Sequence, residues 1–295
     1  MSQSERTLKG VLRRVTKVVL LVVVVVGPIV AIPQMYDPLG VRLWDDIYEQ
    51  ISRIQCANQD CTLYRLPAGK ITFKSGWSAT TNAAGQRITP GNSPSCARHI
   101  ALIGDSYTWG PNVSDAETWA NRLAVQFPSV CFDNYGQWGY NAEQALWTLQ
   151  QQVSGQADYV IYFLFQNDDM EPYSLHGPGD PPYPLNVLRY AKLAAWKLGM
   201  LKDEGWGEDT PRHADRFEAA VRALAADPRV HFIGFETEAL VQHVRDMGYP
   251  VFGMLVPSRA ERTSAIDDHP NAAGHQMIAQ QLGPFVENLL KTAVY

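Results

Sequence analysis

From about residue 97 onward, short apolar runs alternate with longer amphipathic stretches, and no other feature restricts the fold of this chain as much. The runs 99–103, 130–134, 158–165 (DYVIYFLF), 230–235 (VHFIGF) and 251–256 (VFGMLV) read as strands. Helical patterns occupy 115–127, 141–153, 185–200, 212–226 and 237–247. The terminal NAAGHQMIAQQLGPFVENLL is another, with a kink or break expected at Gly283-Pro284. The strands lack strict two-residue alternation, which marks parallel strands buried on both faces. The expected fold is therefore α/β, with a mostly parallel five-stranded sheet covered by helices on both sides. In such a sheet the chemistry belongs at the carboxyl ends of the strands. Reactive groups are expected just after 103, 134, 165, 235 or 256.

The first 95 residues follow a different pattern. Lys9, Arg13, Arg14 and Lys17 precede the uncharged VVLLVVVVVGPIVAI of 18–32. No clean small-x-small cleavage site follows, so an uncleaved signal anchor over 18–35 is favoured over a cleaved signal peptide. Either reading leaves the basic tail 1–17 inside and puts the bulk of the chain outside the cytoplasm. Residues 36–95 form a membrane-proximal extension: an amphipathic helix at 41–54, a Cys loop, and short extended pieces around 62–80. Residues 96–295 form the α/β domain, with a long insertion at 170–212 that overhangs the end of the third strand as a lid, a substrate wall or a plain surface insertion. The four cysteines suit an oxidising compartment and are expected to pair as Cys56–Cys61 and Cys96–Cys131. A net charge of −5, without a basic stripe carrying aromatics, excludes a nucleic-acid partner.

The strand ends carry a recurring set of residues. After the first strand comes Ser106 in IGDSYTWG, where Asp and Ser suit a helix cap as well as a presented nucleophile. After the second comes DNYGQWGYN with Gly139, and after the third FQNDDM with Asn167. Asp168 and Asp169 are adjacent and diverge, so no metal site is assigned. Near the end, SAIDDHPNAAGH places Asp267 and His269 on one side of an extended loop, with Asp268 pointing away. A histidine held by a carboxylate is what deprotonation of a serine hydroxyl needs. His275 falls in the last helix and reads as packing or surface; His99, His176, His213, His231 and His243 read as structural.

Taken in order, GDSYTWG, Gly139 in NYGQWG, Asn167 in FQND, and Asp267 with His269 in DDHPN resemble the SGNH (GDSL-type) hydrolase superfamily. The lead-in TTNAAGQRI also looks like that of envelope members. The resemblance covers about 97–295 and implies a flavodoxin-like, three-layer α/β/α sandwich. It further implies Ser106 as nucleophile, His269 as base and Asp267 as its acid, with Asp268 in reserve. The oxyanion hole would come from the Ser106 and Gly139 N–H groups and the Asn167 amide. Tyr107 and Trp109 read as packing beneath the site. Two departures stand out: Gln166 where the family usually has Gly, and Ile266 where its Asp often stands. The implied activity is a serine esterase on acyl, chiefly O-acetyl, esters of envelope carbohydrate, with no cofactor. O-acetyl transfer by the same triad and a non-catalytic scaffold are the alternatives.

Overall fold

The structure, a computed structural model, describes residues 53–73, 75–153, 155, 157–172, 211–264 and 267–292, with eight positions between 16 and 28. The expected anchor at 18–35 and the amphipathic stretch 41–54 lie mostly outside the described residues, and helix 185–200 lies wholly outside them. Among the described residues, no helix is long and apolar enough to cross a membrane.

The extension contributes two small pairs, β1 (Gln55–Cys56) with β2 (Tyr64–Arg65) and the hairpin β3 (Gly69–Thr72) with β4 (Ser78–Thr81). The domain follows as β5 (Arg98–Gly104), the one-turn helix α1 (Ser106–Trp109), α2 (Trp119–Gln126), β6 (Val130–Asn134), α3 (Ala142–Gln151) and β7 (Tyr159–Leu164). It continues with α4 (Ala214–Ala225), β8 (Val230–Phe235), α5 (Ala239–Asp246), β9 (Val251–Met254) and α6 (Ala272–Thr292). The five long strands form one sheet in the order β6-β5-β7-β8-β9, and every pairing is parallel. The expected sheet is thus observed, fully rather than mostly parallel.

The absence of alternation has its physical cause here. Along β5, Ile100 and Leu102 pack in one core while Ala101 and Ile103 pack in the other. On β7, Ile161 and Phe163 join the first core, and Val160, Tyr162 and Leu164 the second. Residues of α2 and α6 complete the first layer, and those of α3, α4 and α5 the second. Both faces must be apolar because both are covered.

Two expectations are corrected. The helix read over 115–127 is split: a 3-10 turn (Asp115–Glu117) ends at Thr118, whose extended backbone and hydroxyl, accepting from the Asn121 N–H, start α2 anew. No break occurs at Gly283-Pro284, since α6 runs through it. Pro284 and Gln280, whose carbonyl loses its partner, are both exposed to water, while Ile278, Leu282 and Val286 stay locked in the core.

Both expected disulfides are present, Cys56–Cys61 and Cys96–Cys131. The extension is not detached: Leu66, Ile71, Phe73, Trp77 and Ala79 form a small core with Trp109, just past Ser106.

Candidate active site

The site is built on the sharp turn out of β5. Gly104 has φ 145°, and a Cβ there would lie 2.5 Å from Thr108 Oγ1, so only glycine lets the strand turn directly into α1. Asp105 caps that helix by accepting from the Tyr107 N–H at 2.8 Å. Ser106 is thereby presented at the carboxyl end of β5, between the ends of β6 and β7.

Residues 163 positions apart meet there. Ser106 Oγ lies 2.8 Å from His269 Nε2, and His269 Nδ1 lies 2.6 Å from Asp267 Oδ1. The His269 backbone N–H donates to the same oxygen at 3.0 Å, which sets the loop so that carboxylate and ring face each other. Asp268 does not share the ring; its carbonyl accepts from the Tyr107 hydroxyl at 3.0 Å. Tyr107 therefore does more than pack: its ring lies 5.2 Å from that of His269 and 4.0 Å from Phe165, and its hydroxyl ties down the histidine loop.

The electrostatics follow from burial. Desolvation pushes the His269 imidazole down, but the charge and hydrogen bond of Asp267, with Asp268 and Asp105 behind it, leave it above its ordinary value. Burial pushes the Asp105 carboxyl up to about 7, against the Tyr107 N–H and the nearby His269, which pull it down. His275 sits fully buried, accepts from the Trp119 N–H at 3.2 Å, and is held well below its ordinary value by burial and by Arg87 and Arg122. That makes it a packing residue.

The expected oxyanion donors follow the three neighbouring strands β5, β6 and β7. Asn167 is buried, and its side-chain N–H donates to the Tyr140 carbonyl at 3.0 Å, immediately beside Gly139. Its Oδ1 is buried without a partner, so the side chain does not close an Asx turn. Among the described residues no acceptor takes the N–H of Ser106 or of Gly139.

Neither candidate cation cluster has a cation's geometry. Asp168 accepts from the Phe165 N–H at 2.8 Å deep in the fold, whereas Asp169 turns outward to pair with Arg212. Ligand atoms of Asp267, Asp268 and His269 lie within 4.8 Å of one another, yet both Asp267 oxygens already receive N–H donors. The insertion begins three residues after Asn167, and its ends are stapled by Glu171 N–H to Pro211 O (3.0 Å) and His213 N–H to Asp169 O (2.7 Å). Residues 173–210 lie outside the described residues.

Three supporting residues escaped the reading of the sequence. Arg87, buried completely, pairs with Asp115 at 2.9 Å and donates to the carbonyls of Trp109 (3.1 Å), Gly110 and Val113 (2.6 Å). Asn134 donates to Thr108 O at 2.9 Å and accepts from the Gly136 N–H at 3.0 Å, latching the β6 turn onto α1. Asn112 donates to Asp267 Oδ2 at 2.9 Å. Arg87 was within the lead-in TTNAAGQRI and so had a local signal; the partners of Asn112 and Asn134 are remote in sequence and left none.

Comparison with known proteins bears on this arrangement. A family model described as the GDSL-like lipase/acylhydrolase family matches residues 102–277. No curated protein matches. Among solved structures, the esterase EstA from Pseudoalteromonas sp., inhibited by monoethylphosphonate, is similar at 13% identity, with 66% of this chain and 99% of that one covered and a TM-score of 0.43. A lipase/acylhydrolase from Enterococcus faecalis is similar at 17% identity over 65% and 96%, with a TM-score of 0.39. A carbohydrate acetylesterase family member from Sinorhizobium meliloti is similar at 13% identity over 66% and 99%, with a TM-score of 0.38.

Proposed function

Since this chain belongs to the GDSL-like lipase/acylhydrolase family and is therefore a hydrolase of ester bonds, we propose that Ser106 is its nucleophile and that it cleaves short acyl esters of carbohydrate. The carrying observation is the unbroken line from Ser106 Oγ through His269 to Asp267, at 2.8 and 2.6 Å. In this mechanism Oγ attacks the ester carbonyl as His269 Nε2 takes its proton, and Asp267 holds the ring and stabilises the imidazolium. The developing oxyanion is received by the N–H groups of Ser106 and Gly139 and by the Asn167 amide, each worth about 3 kcal/mol in the transition state. The sugar alcohol departs with the proton from His269, leaving acyl-Ser106. A water molecule, deprotonated by the same ring, attacks that ester; the acid is released and the serine re-forms.

The compartment belongs to the same proposal. Two disulfides, and a basic flank ahead of an uncharged valine-rich run, support an anchored enzyme working outside the cytoplasm on envelope polysaccharide. O-acetyl is the acyl group that this setting favours.

The test is hydrolysis of p-nitrophenyl acetate by the wild type and by Ser106→Ala, combined with fluorophosphonate labelling and peptide mapping. The expected outcome is loss of turnover to background in the variant, with the label on Ser106. Equal rates in both proteins, with no label, would support a non-catalytic role instead.

A further inference from the structure

We propose that Asn112 is a positioning residue of the active site, whose side-chain amide holds the Asp267 carboxylate in register with His269. The proposal rests on the reading of Ser106, His269 and Asp267 as a triad. Asp267 Oδ1 receives two donors from His269, the ring Nδ1 at 2.6 Å and the backbone N–H at 3.0 Å. Those bonds fix one oxygen but leave the carboxyl free to rock about it. Oδ2 receives the Asn112 Nδ2–H at 2.9 Å, and the described residues offer it no other donor. The Asp267 side chain is fully buried, so water does not stand in for that bond.

The backbone is shaped to deliver that amide. Asn112 has φ 63°, a left-handed conformation taken mostly by glycine and, among residues with side chains, by asparagine. The surrounding loop imposes it. Arg87 grips the carbonyls of Trp109 and Gly110 before Asn112 and of Val113 after it, while Asp115 anchors the guanidinium from behind. Asparagine tolerates this backbone, and from it the side-chain amide reaches a carboxylate 155 residues away. The line of support runs from Arg87 through the 109–113 loop to Asn112, then to Asp267 and His269. Its effect is on alignment of the base, which decides the rate rather than the binding of substrate.

The test is Asn112→Gly, which keeps the left-handed backbone and removes only the amide. The expected outcome is a modestly lowered melting temperature, because the buried Asp267 Oδ2 loses its donor, with KM within about twofold and kcat lowered about tenfold to a hundredfold, the range seen when partners orienting metal-bound histidines are removed. In the free enzyme, the downfield proton resonance of His269 Nδ1–H shifts or broadens. Asn112→Asp, which sets a carboxylate against Asp267, lowers kcat further. Wild-type kcat together with an unmoved resonance in Asn112→Gly would overturn the proposal. The resonance is read without substrate, so it still decides the role of Asn112 if Ser106→Ala shows that the esterase reading has failed.

Discussion

Asp105 and His269 both hold their protons to higher pH than usual, and they do so for opposite reasons. For Asp105 burial dominates and disfavours the anion; for His269 the surrounding carboxylates favour the cation strongly enough to override burial. As the proposed base, His269 must be neutral, so activity is expected to fall as pH falls through its titration. The acid limb of kcat/KM is expected to have its midpoint above 6.5, and Asp267→Asn is expected to move it to lower pH while lowering kcat; a pH–rate profile of both proteins checks this. Asp105 makes a separate prediction about stability. Its folded value is about 7 against an ordinary 3.8, so the native state keeps a proton that the unfolded chain gives up between those pH values. Wild-type stability is therefore lost as pH rises through that window. Asp105→Asn keeps an oxygen for the Tyr107 N–H and titrates nothing. Its stability relative to the wild type is expected to rise from pH 4 to 7 and to level off above it, read from unfolding curves at pH 4, 5 and 8.

At the scale of elements, the site depends on how closely the turn after β6 approaches the turn after β5. A Cβ at Gly136 would lie 2.5 Å from the Trp109 backbone N and 2.8 Å from Thr108 Cβ, with Asn134 bonded to the same segment. Gly136→Ala is expected to push the two turns apart, destabilising the protein by about 1–3 kcal/mol and reducing kcat through displaced oxyanion donors; melting curves and turnover measure the two effects. The strands that carry these turns were legible in the sequence because a parallel sheet covered on both sides demands unbroken apolar runs, and 230–235 appears as β8 over the same residues. Ser106, Asn167, Asp267 and His269 were legible because each sits at a strand end or before the last helix, where polar residues interrupt apolar ones. The break at Thr118 was hidden because a mid-helix cap looks like an ordinary helical threonine until its backbone turns extended. At Pro284 the break, one of the two outcomes expected there, does not occur: core packing along α6 outweighs one missing backbone bond that water can satisfy. Asn112 and Asn134 were out of reach because their partners, a carboxylate and backbone carbonyls remote in sequence, leave no periodic trace, whereas Arg87 lay within the lead-in that carried part of the resemblance.

Across the whole molecule, the two disulfides lie at opposite ends of the sheet and should therefore do different things. Cys96–Cys131 joins the lead-in of β5 to edge strand β6 at the amino end, far from Ser106, and closes a loop with a sequence separation of 35. Its removal in Cys96→Ser/Cys131→Ser is expected to reduce stability by about 3–4 kcal/mol through the unfolded chain, with kcat unchanged below the melting transition. Cys56–Cys61 closes only a short loop, but that loop rests on the turn that carries Gly139. Cys61, Tyr64 and Tyr140 form one small core; the Tyr64 hydroxyl donates to Trp138 O, and the Tyr140 hydroxyl donates to Tyr64 O at 2.8 Å. Gly139 lies between Trp138 and Tyr140, so loosening the Cys loop is expected to free the proposed oxyanion donor. Cys56→Ser/Cys61→Ser is accordingly expected to lose less stability than the other pair and more turnover. Denaturant unfolding and p-nitrophenyl acetate kinetics on the two double variants separate the effects, and the reverse ordering would mean that the extension does not support the catalytic edge.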